Sequence, residues 1–210
     1  MAKTPVAVLA SGRGSNMLAL MGAAEAPGFP ARVALVLSDN EEAPALASAR
    51  AAGIDALFIH PGPKRARVAP EAEDRMAEEV RARGAELVCL AGFMRILSPR
   101  FLDAFPRRVL NIHPSLLPSF PGLHAQRQAF EHGVRVAGCT THLVEAGVDS
   151  GPILMQEAVP VKEGDTEESL AARILEREHR IYPETVRRIL TRSFVIRGRR
   201  VVWKEKGAAP

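Results

Sequence analysis

The first half of the chain alternates short apolar runs with amphipathic stretches, and this alternation restricts the fold more than any other feature of the sequence. The apolar runs at 6–10, 33–37, 56–59 and 87–91 predict β-strands, and the stretches between them predict helices. Strands that alternate with helices form βαβ units, in which the strands are parallel. This half therefore predicts a parallel sheet with helices on both of its faces.

The second half predicts a different arrangement of strands. Ser98-Pro99 is a favourable helix start, so a short helix is expected to about Ala104, with a strand at 109–113 and a helix near 126–131. Apolar stretches at 136–145 and 153–161 predict two longer strands that are joined by a glycine-containing loop. The sheet is therefore expected to become mixed, with an antiparallel part towards the C-terminus.

The last part of the sequence predicts one long helix, over 167–190. Asp165 and Glu168 have the spacing of a capping box, and Pro183 should bend this helix or divide it. Segments 194–196 and 199–203 then predict a small hairpin, and 207–210 predict a frayed tail.

Composition narrows the class of protein. The chain has 210 residues without a linker or a composition break, which predicts one domain over 1–210, and no apolar run approaches the ~18 residues of a membrane helix. Cys89 and Cys139 have no CxxC partner and are expected to be buried, reduced thiols, as in the cytoplasm. The net charge is +4, but the basic residues are scattered among 24 acidic ones, which favours small anionic ligands over nucleic acid.

The first strand is followed by a glycine-rich loop, residues 11–16, that opens a helix. Open α/β sheets bind ligands beyond the carboxyl ends of their strands, and the N–H groups at a helix start favour a phosphate. Ser15 and Asn16 either add donors to such a ligand or simply cap the helix. Met17 stands where the third glycine of a dinucleotide fingerprint belongs, so phosphate binding is favoured over dinucleotide binding.

The strand at 87–91 is followed by an unusually apolar segment, Gly-Phe-Met-Arg-Ile-Leu at 92–97. Either the rest of the protein covers this segment, as a satellite hydrophobic cluster, or a flat ligand does. If a heterocycle lies there, backbone N–H and C=O groups would recognise its edge while apolar side chains pack on its ring.

The strand at 109–113 ends in Asn111 and His113. Residues two apart in a strand point to the same side, and an amide donor beside an imidazole suits an oxyanion site. A nearby carboxylate such as Asp149 would raise the pKa of His113. Local backbone partners for Asn111 and His113 and a turn-forming role for Asp149 are the alternatives, and His142 lines the same cavity or belongs to the core.

Two other kinds of active site are disfavoured. The six histidines show no HxH or HExxH spacing, so no metal site is predicted. The GxSxG sequence of a nucleophilic serine is also missing.

Four segments together carry a resemblance to a known family: SGRGSN at 11–16, LAGFMRIL at 90–97, NIHPSLLP at 111–118 and VDSGP at 148–152. In this order, with Gly164-Asp165 and EHRIYP at 178–183, they resemble the phosphoribosylglycinamide formyltransferases of the folate-dependent formyltransferase family. The resemblance covers nearly the whole chain. It implies a Rossmann-like formyltransferase fold, in which a nucleotide-phosphate half, about 1–90, precedes a folate and catalytic half, about 91–205.

The resemblance also implies a role for individual residues. The family's catalytic residues match Asn111, His113 and Asp149. The ribonucleotide-binding residues match Gly14, Ser15, Asn16, Met17 and Glu178, and the folate-binding residues match Phe93, Met94, Arg95, Ile96, Leu97, Asn111, Val144, Ala146 and Val148.

The implied reaction moves the formyl group of 10-formyltetrahydrofolate to the amino group of 5-phosphoribosyl glycinamide, in purine (IMP) biosynthesis. The amine attacks directly, Asn111 and His113 stabilise the oxyanion, and Asp149 keeps His113 protonated; one such donor is typically worth ~3–4 kcal/mol. The folate is a co-substrate, no metal is required, and the partners are small molecules. The chain is expected to act in the cytoplasm as a monomer or homodimer, without nucleic acid or membrane.

One departure from the family's pattern concerns the folate. Where the family often carries an arginine that helps receive the folate, this sequence has Pro70, and Arg65 or Arg67 is the candidate replacement.

Four other functions fit the sequence less well. Methionyl-tRNA formyltransferase would need an additional nucleic-acid-binding domain, and formyltetrahydrofolate hydrolase usually has a regulatory domain in front. A non-catalytic nucleotide-binding module leaves Asn111 and His113 unexplained. A dinucleotide oxidoreductase is disfavoured by the broken glycine fingerprint, although Asp39 lies near the position of its acidic residue.

Overall fold

The computed structural model describes residues 2–64, 66–198 and 200–204. The chain packs as two compact units that divide between Asn111 and Ile112. The predicted single domain over 1–210, with halves meeting near residue 90, stays a prediction.

The first unit is built from βαβ units, as the alternation predicted. Its sheet has the strand order β3-β2-β1-β4-β5, and every neighbouring pair in it is parallel. Its elements are β1 (Thr4–Leu9), α1 (Ser15–Glu25), β2 (Ala31–Ser38), α2 (Pro44–Ala51), β3 (Asp55–Phe58), α3 (Pro70–Ala82), β4 (Leu87–Leu90), α4 (Pro99–Ala104) and β5 (Val109–His113), whose last two residues fall in the second unit.

The strands β1 and β4 form the centre of this unit. Val8 and Leu9 of β1 and Cys89 of β4 are almost fully buried, as expected of strands that are covered on both faces. The helices α2, α3 and α4 each begin with a proline, whose fixed φ suits the first helical position and whose missing N–H costs no hydrogen bond there. Pro70 thus begins α3 at the position where the family often has an arginine.

The second unit has a mixed sheet with the strand order β6-β7-β9-β8. The pairs β6–β7 and β8–β9 are antiparallel and the pair β7–β9 is parallel, while the longest helix packs on β6 and β7. Its elements are α5 (Ala125–Glu131), β6 (Val136–Leu143), β7 (Ile153–Pro160), α6 (Glu167–Thr191), β8 (Phe194–Arg197) and β9 (Arg200–Trp203).

The predicted fold class is confirmed: a mixed α/β fold with a mostly parallel sheet, an antiparallel C-terminal part and surrounding helices. The terminal hairpin is confirmed as β8 and β9, although Arg199 of the predicted range lies outside the described residues, as does the tail at 207–210. None of the helices within the described ranges combines the length and apolar character that crossing a membrane requires.

The capping box predicted for the long helix was wrong in its residues. Thr166 is the cap of α6, since its hydroxyl accepts from the Ser169 amide at 3.2 Å and the Ser169 hydroxyl accepts from the Thr166 amide at 2.9 Å. Asp165 lies one residue earlier and pairs with Arg173 at 2.6 Å. Serine at the third helical position closes the box in the way that glutamate more often does.

Pro183 does not divide α6, which runs unbroken for 25 residues. Proline removes one backbone donor from a helix and crowds the preceding turn. The neighbouring residues Tyr182 and Val186 are fully buried. Their packing stabilises the helix on both sides of the proline, because most helical stability in proteins comes from burial of the apolar face.

Candidate active site

The loop at residues 11–16, here called the phosphate loop, has a backbone shape that requires glycine at one position. Gly14 has φ +75°, and a Cβ there would lie 2.8 Å from the Cβ of Ala45. The Ala45 amide also donates to the carbonyl of Gly12 at 3.2 Å. The loop is therefore pressed against α2 at the start of α1.

The predicted phosphate-binding residues differ in what they expose. Ser15 is half-buried at the start of α1, Asn16 is 7% exposed and Met17 is fully buried. Met17 therefore offers a ligand its backbone and not its side chain. The first turn of α1 has no acidic side chain, so no negative charge there offsets the partial positive charge at the start of the helix.

The segment at residues 92–97, here called the heterocycle loop, is apolar on both its buried and its exposed side. Phe93 and Leu97 are buried, whereas Met94 is 59% and Ile96 is 39% exposed. The expected satellite cluster therefore accounts for only half of the apolar side chains. The other half forms a surface on which a flat ligand could pack.

The side chain of Arg95, in the heterocycle loop, binds other residues of the protein. Its Nε lies 2.7 Å from the Asp39 carboxylate, and its Nη1 donates to the Lys64 carbonyl at 2.7 Å. Asp39 follows β2 and is buried, so this ion pair is screened less than a surface pair. As a folate contact, Arg95 would thus act through its backbone while its side chain anchors the loop.

The end of β5 carries the predicted reacting centre. His113 lies two residues after Asn111 on the same strand and is 5% exposed. Its Nδ1 lies 3.2 Å from Oδ2 of Asp149, and its Nε2 lies 2.9 Å from the Phe120 carbonyl oxygen. Asp149 also accepts from the Gly122 amide at 2.8 Å. The structure therefore brings His113 and Asp149 together, as predicted.

The predicted effect of Asp149 on the His113 pKa is confirmed, because the carboxylate raises it, but burial outweighs this effect. Burial lowers this pKa below its ordinary value, and the opposing effects of the Phe120 carbonyl and the Asp149 carboxylate do not offset it. The charge of His142 lowers it further. The sequence indicates the carboxylate but not the desolvation that the folded surroundings impose.

His142, for which the sequence leaves the cavity and the core open, lies beside the His113–Asp149 pair. Its Nε2 lies 3.5 Å from Oδ1 of Asp149 and its Nδ1 lies 2.8 Å from the Leu143 carbonyl. Burial acts to raise the pKa of Asp149, but donation from His142 and Gly122 and the nearby imidazoles outweigh it, so this pKa lies below its usual value. The carboxylate of Asp149 therefore lies between two imidazoles.

A buried hydrogen-bond network fixes the chain just after His113. The Thr140 hydroxyl donates to the Ser115 carbonyl at 2.7 Å and accepts from the Leu117 amide at 3.0 Å. The Gln156 amide donates to Thr140 at 2.9 Å and to the Leu117 carbonyl at 2.8 Å. Nothing in the spacing of these residues signalled the network, since β6, β7 and the loop after β5 are distant in sequence.

The remaining predicted contacts belong to the second unit. Val144 is half-buried, and Ala146 and Val148 are exposed, with Val148 at 54%. Glu178 is buried on α6 and faces β6, where burial first and then the Glu178 charge raise the pKa of Cys139 to about 12. Cys139 is thus an inert thiol, and both cysteines are buried without a disulfide, as predicted.

No metal-binding cluster of three or more His, Cys, Asp or Glu side chains occurs in the part of the chain that the structure describes. The roles predicted for the ligand-binding residues stay predictions.

The parallel sheet, its two ligand-type loops and the His113–Asp149 pair define a Rossmann-like α/β enzyme. A family model described as Formyl transferase matches residues 4–186. The chain therefore belongs to the formyl transferase family.

The relatives agree with this assignment. Over 184 residues the chain is 39% identical to the phosphoribosylglycinamide formyltransferase of Bacillus subtilis, with 88% of this chain and 93% of that protein covered. The crystal structure of glycinamide ribonucleotide transformylase 1 from Symbiobacterium toebii is 52% identical, with a TM-score of 0.91 over 97% of this chain and 95% of that chain.

Larger relatives contain a similar region. The chain is 43% identical over 204 residues to the trifunctional purine biosynthetic protein adenosine-3 of Gallus gallus, with 96% of this chain covered. It spans only 20% of the length of that relative.

Proposed function

We propose that this chain transfers the formyl group of 10-formyltetrahydrofolate to the amino group of 5-phosphoribosyl glycinamide, a step of purine biosynthesis. The observation that carries the proposal is the buried His113 imidazole, 3.2 Å from Asp149 and two residues after Asn111, in a member of the formyl transferase family. Both substrates are small molecules of the cytoplasm, so neither nucleic acid nor a membrane takes part.

The phosphate loop receives the phosphate of the acceptor. Gly14 brings the backbone close to the ligand, and the N–H groups of Ser15 and Asn16 point from the positive end of α1. Glu178, which is buried on α6, accepts hydrogen bonds from the ribose hydroxyls, as a carboxylate can.

The heterocycle loop receives the pterin of the folate. The exposed side chains of Met94 and Ile96 supply an apolar surface for its ring, and Val148 supplies another. Arg67 pairs with Ile96 in an isolated parallel bridge and is exposed, which suits a contact with the carboxylates of the folate tail. Arg65, the other candidate for that contact, lies outside the described residues.

The reaction proceeds by direct attack of the acceptor amine on the formyl carbon. A C–N bond forms, and the carbonyl electron pair moves to oxygen, which becomes an oxyanion. The Asn111 amide and the His113 imidazolium donate hydrogen bonds to this oxygen. The oxyanion then collapses, the bond to the folate nitrogen breaks, and the proton lost by the amine passes to that nitrogen.

His113 already donates from Nε2 to the Phe120 carbonyl at 2.9 Å. The formyl oxygen therefore replaces the Phe120 carbonyl as acceptor, and the backbone around Phe120 shifts when the folate binds. The lowered pKa of His113 makes its imidazolium a stronger acid and hence a stronger donor to the oxyanion.

The experiment that tests the proposal is a formyl-transfer assay with both substrates. Wild type should formylate the acceptor, and His113→Asn should lose about 10²- to 10³-fold in kcat, the usual effect of removing an oxyanion donor. The matched control is His60→Asn, since His60 is exposed and lies outside the proposed machinery. Slow release of formate without transfer to the acceptor would instead identify a hydrolase.

A further inference from the structure

Ser11 connects the phosphate loop to the heterocycle loop. Its amide donates to the Gly92 carbonyl at 3.1 Å, and its hydroxyl oxygen accepts from the Met94 amide at 2.9 Å. Its carbonyl accepts from the Asn40 side chain at 3.3 Å. The backbone and side chain of one residue thus join two loops that are distant in sequence.

The bond from Met94 differs from the bonds that precede it in the sheet. Ala10 and Ala91 donate to the carbonyls of Leu37 and Leu9, which continues the regular strand pairing just past the carboxyl ends of β1 and β4. Met94 lies beyond that pairing, after Gly92, whose φ of +73° is not that of an extended strand. The Ser11 hydroxyl therefore extends the connection into the loop.

The rest of the heterocycle loop is attached to other segments. Arg95 pairs with Asp39 at 2.7 Å, and the Ile96 amide donates to the Ala66 carbonyl at 2.9 Å. These anchors fix the loop to the chain after β2 and to the chain before α3. The Ser11 bond is different because it fixes the loop to the segment that starts α1.

We propose that Ser11 is a positioning residue, which sets the distance and angle between the substrates bound on the two loops. The inference rests on the proposed formyl transfer, in which the amine of one substrate attacks the formyl carbon of the other. A displacement of ~1 Å between reacting groups costs about 10²-fold in rate. The hydrogen bond from the Met94 amide to the Ser11 hydroxyl joins the loops that carry the two substrates, and it therefore affects turnover as well as binding.

Three substitutions at this position separate the hydrogen bond from the volume of the side chain. Ser11→Ala removes the acceptor, Ser11→Cys keeps the volume but accepts hydrogen bonds weakly, and Ser11→Thr keeps the hydroxyl. The matched control is Ser48→Ala, because Ser48 is half-buried as Ser11 is and lies on α2, outside both loops.

The expected result is a split between the kinetic constants. Ser11→Ala and Ser11→Cys should raise KM for the folate about three- to tenfold, as loss of one hydrogen bond predicts. Both should lower kcat about tenfold, because the formyl group is misplaced relative to the amine. KM for the ribonucleotide should change less than about twofold, while Ser11→Thr and Ser48→Ala should behave as wild type.

Each other outcome overturns the inference. If Ser11→Cys is as active as wild type, the Ser11 side chain only fills space. If Ser11→Ala is as active as Ser48→Ala, the hydrogen bond has no role in positioning. In both cases the proposed formyl transfer itself still stands. A wild type that transfers no formyl group overturns both proposals. Thermal melting identifies a variant that does not fold. If Ser11→Ala does not fold, the comparison of Ser11→Cys with Ser11→Thr decides whether the hydrogen bond positions the substrates.

Discussion

His113 directs its Nε2 at the carbonyl oxygen of Phe120, 2.9 Å away, and Phe120 has a φ of 53° that is uncommon for a residue with a side chain. The other ring nitrogen faces Asp149 at 3.2 Å. Since both neighbours accept hydrogen bonds, both contacts form together only when the ring carries two protons. Burial opposes that state and lowers the pKa of His113. The protonation of His113 therefore depends closely on the charges beside it.

Asp149→Asn should move the alkaline limb of the pH profile of kcat/KM to lower pH. The Asp149 charge raises the pKa of His113, so its removal lowers that pKa and the imidazolium is lost earlier as pH rises. Asparagine suits the φ of 48° at this position, which avoids new backbone strain. We also expect kcat to fall about 10²-fold, because the oxyanion donor is less often protonated.

The measurement is a pH–rate profile together with an NMR titration of the His113 ring. The control is Asp103→Asn, which removes an exposed carboxylate from α4. An alkaline limb that stays at the wild-type pH would show that Asp149 does not set the protonation of His113.

His142→Gln should move the same limb in the opposite direction. The charge of His142 lowers the pKa of His113, so its removal should raise that pKa and extend activity to higher pH. In the wild type the Asp149 carboxylate lies 3.5 Å from the His142 Nε2, and glutamine keeps a hydrogen-bond donor near it. The same NMR titration reports the shift, with the exposed His60→Gln as control. A shift to lower pH would mean that His142 acts on His113 chiefly by orienting Asp149.

The sequence could predict most of the fold because the pattern of apolar residues reports burial directly. The first strand was predicted at 6–10 and is Thr4–Leu9, and the strand at 109–113 matches β5. The end of a helix is harder to predict, because it depends on which of several polar residues reaches the backbone. Thr166 and Ser169 form the capping box of α6 where Asp165 and Glu168 were expected.

The candidate site was predictable only in part. The resemblance indicated His113 and Asp149, and the structure places them 3.2 Å apart. The pKa of His113 was not predictable, since desolvation arises from residues that fold around the ring. The bond between Ser11 and Met94 was equally inaccessible, because it joins positions 83 residues apart in sequence.

Gly14→Ala should destabilise the protein by ~1–3 kcal/mol, since an alanine at φ +75° is strained and its Cβ would lie 2.8 Å from Ala45. Phosphate binding should weaken at the same time because the loop must move away from α2. Denaturant unfolding measures the first effect, and inhibition of formyl transfer by inorganic phosphate measures the second. Gly12→Ala is the matched control for stability, because a Cβ there meets no atom of the described residues within 4 Å. Equal stability of the two variants would show that neither the φ nor the contact with Ala45 requires glycine at position 14.

Acid should destabilise the wild type more than the His113→Gln variant between pH 7 and 5. The folded pKa of His113 lies below its unfolded value of about 6.5, so the folded state binds fewer protons than the unfolded state as pH falls through that value. The free energy of unfolding therefore decreases as pH falls. Glutamine does not titrate, so His113→Gln removes the part of this decrease that comes from His113. Asp149 does not interfere, because its lowered pKa gives stability that is lost only below pH ~4.

Denaturant unfolding at several pH values measures this difference, with the exposed His60→Gln as control. His179 contributes with the same sign, because burial lowers its pKa as well, and none of the residues that the structure describes hydrogen-bonds to its buried Nε2. The double variant His113→Gln/His179→Gln should therefore show the flattest dependence of the free energy of unfolding on pH. A His113→Gln variant that loses stability as steeply as wild type would mean that His113 is already protonated in the folded state at neutral pH.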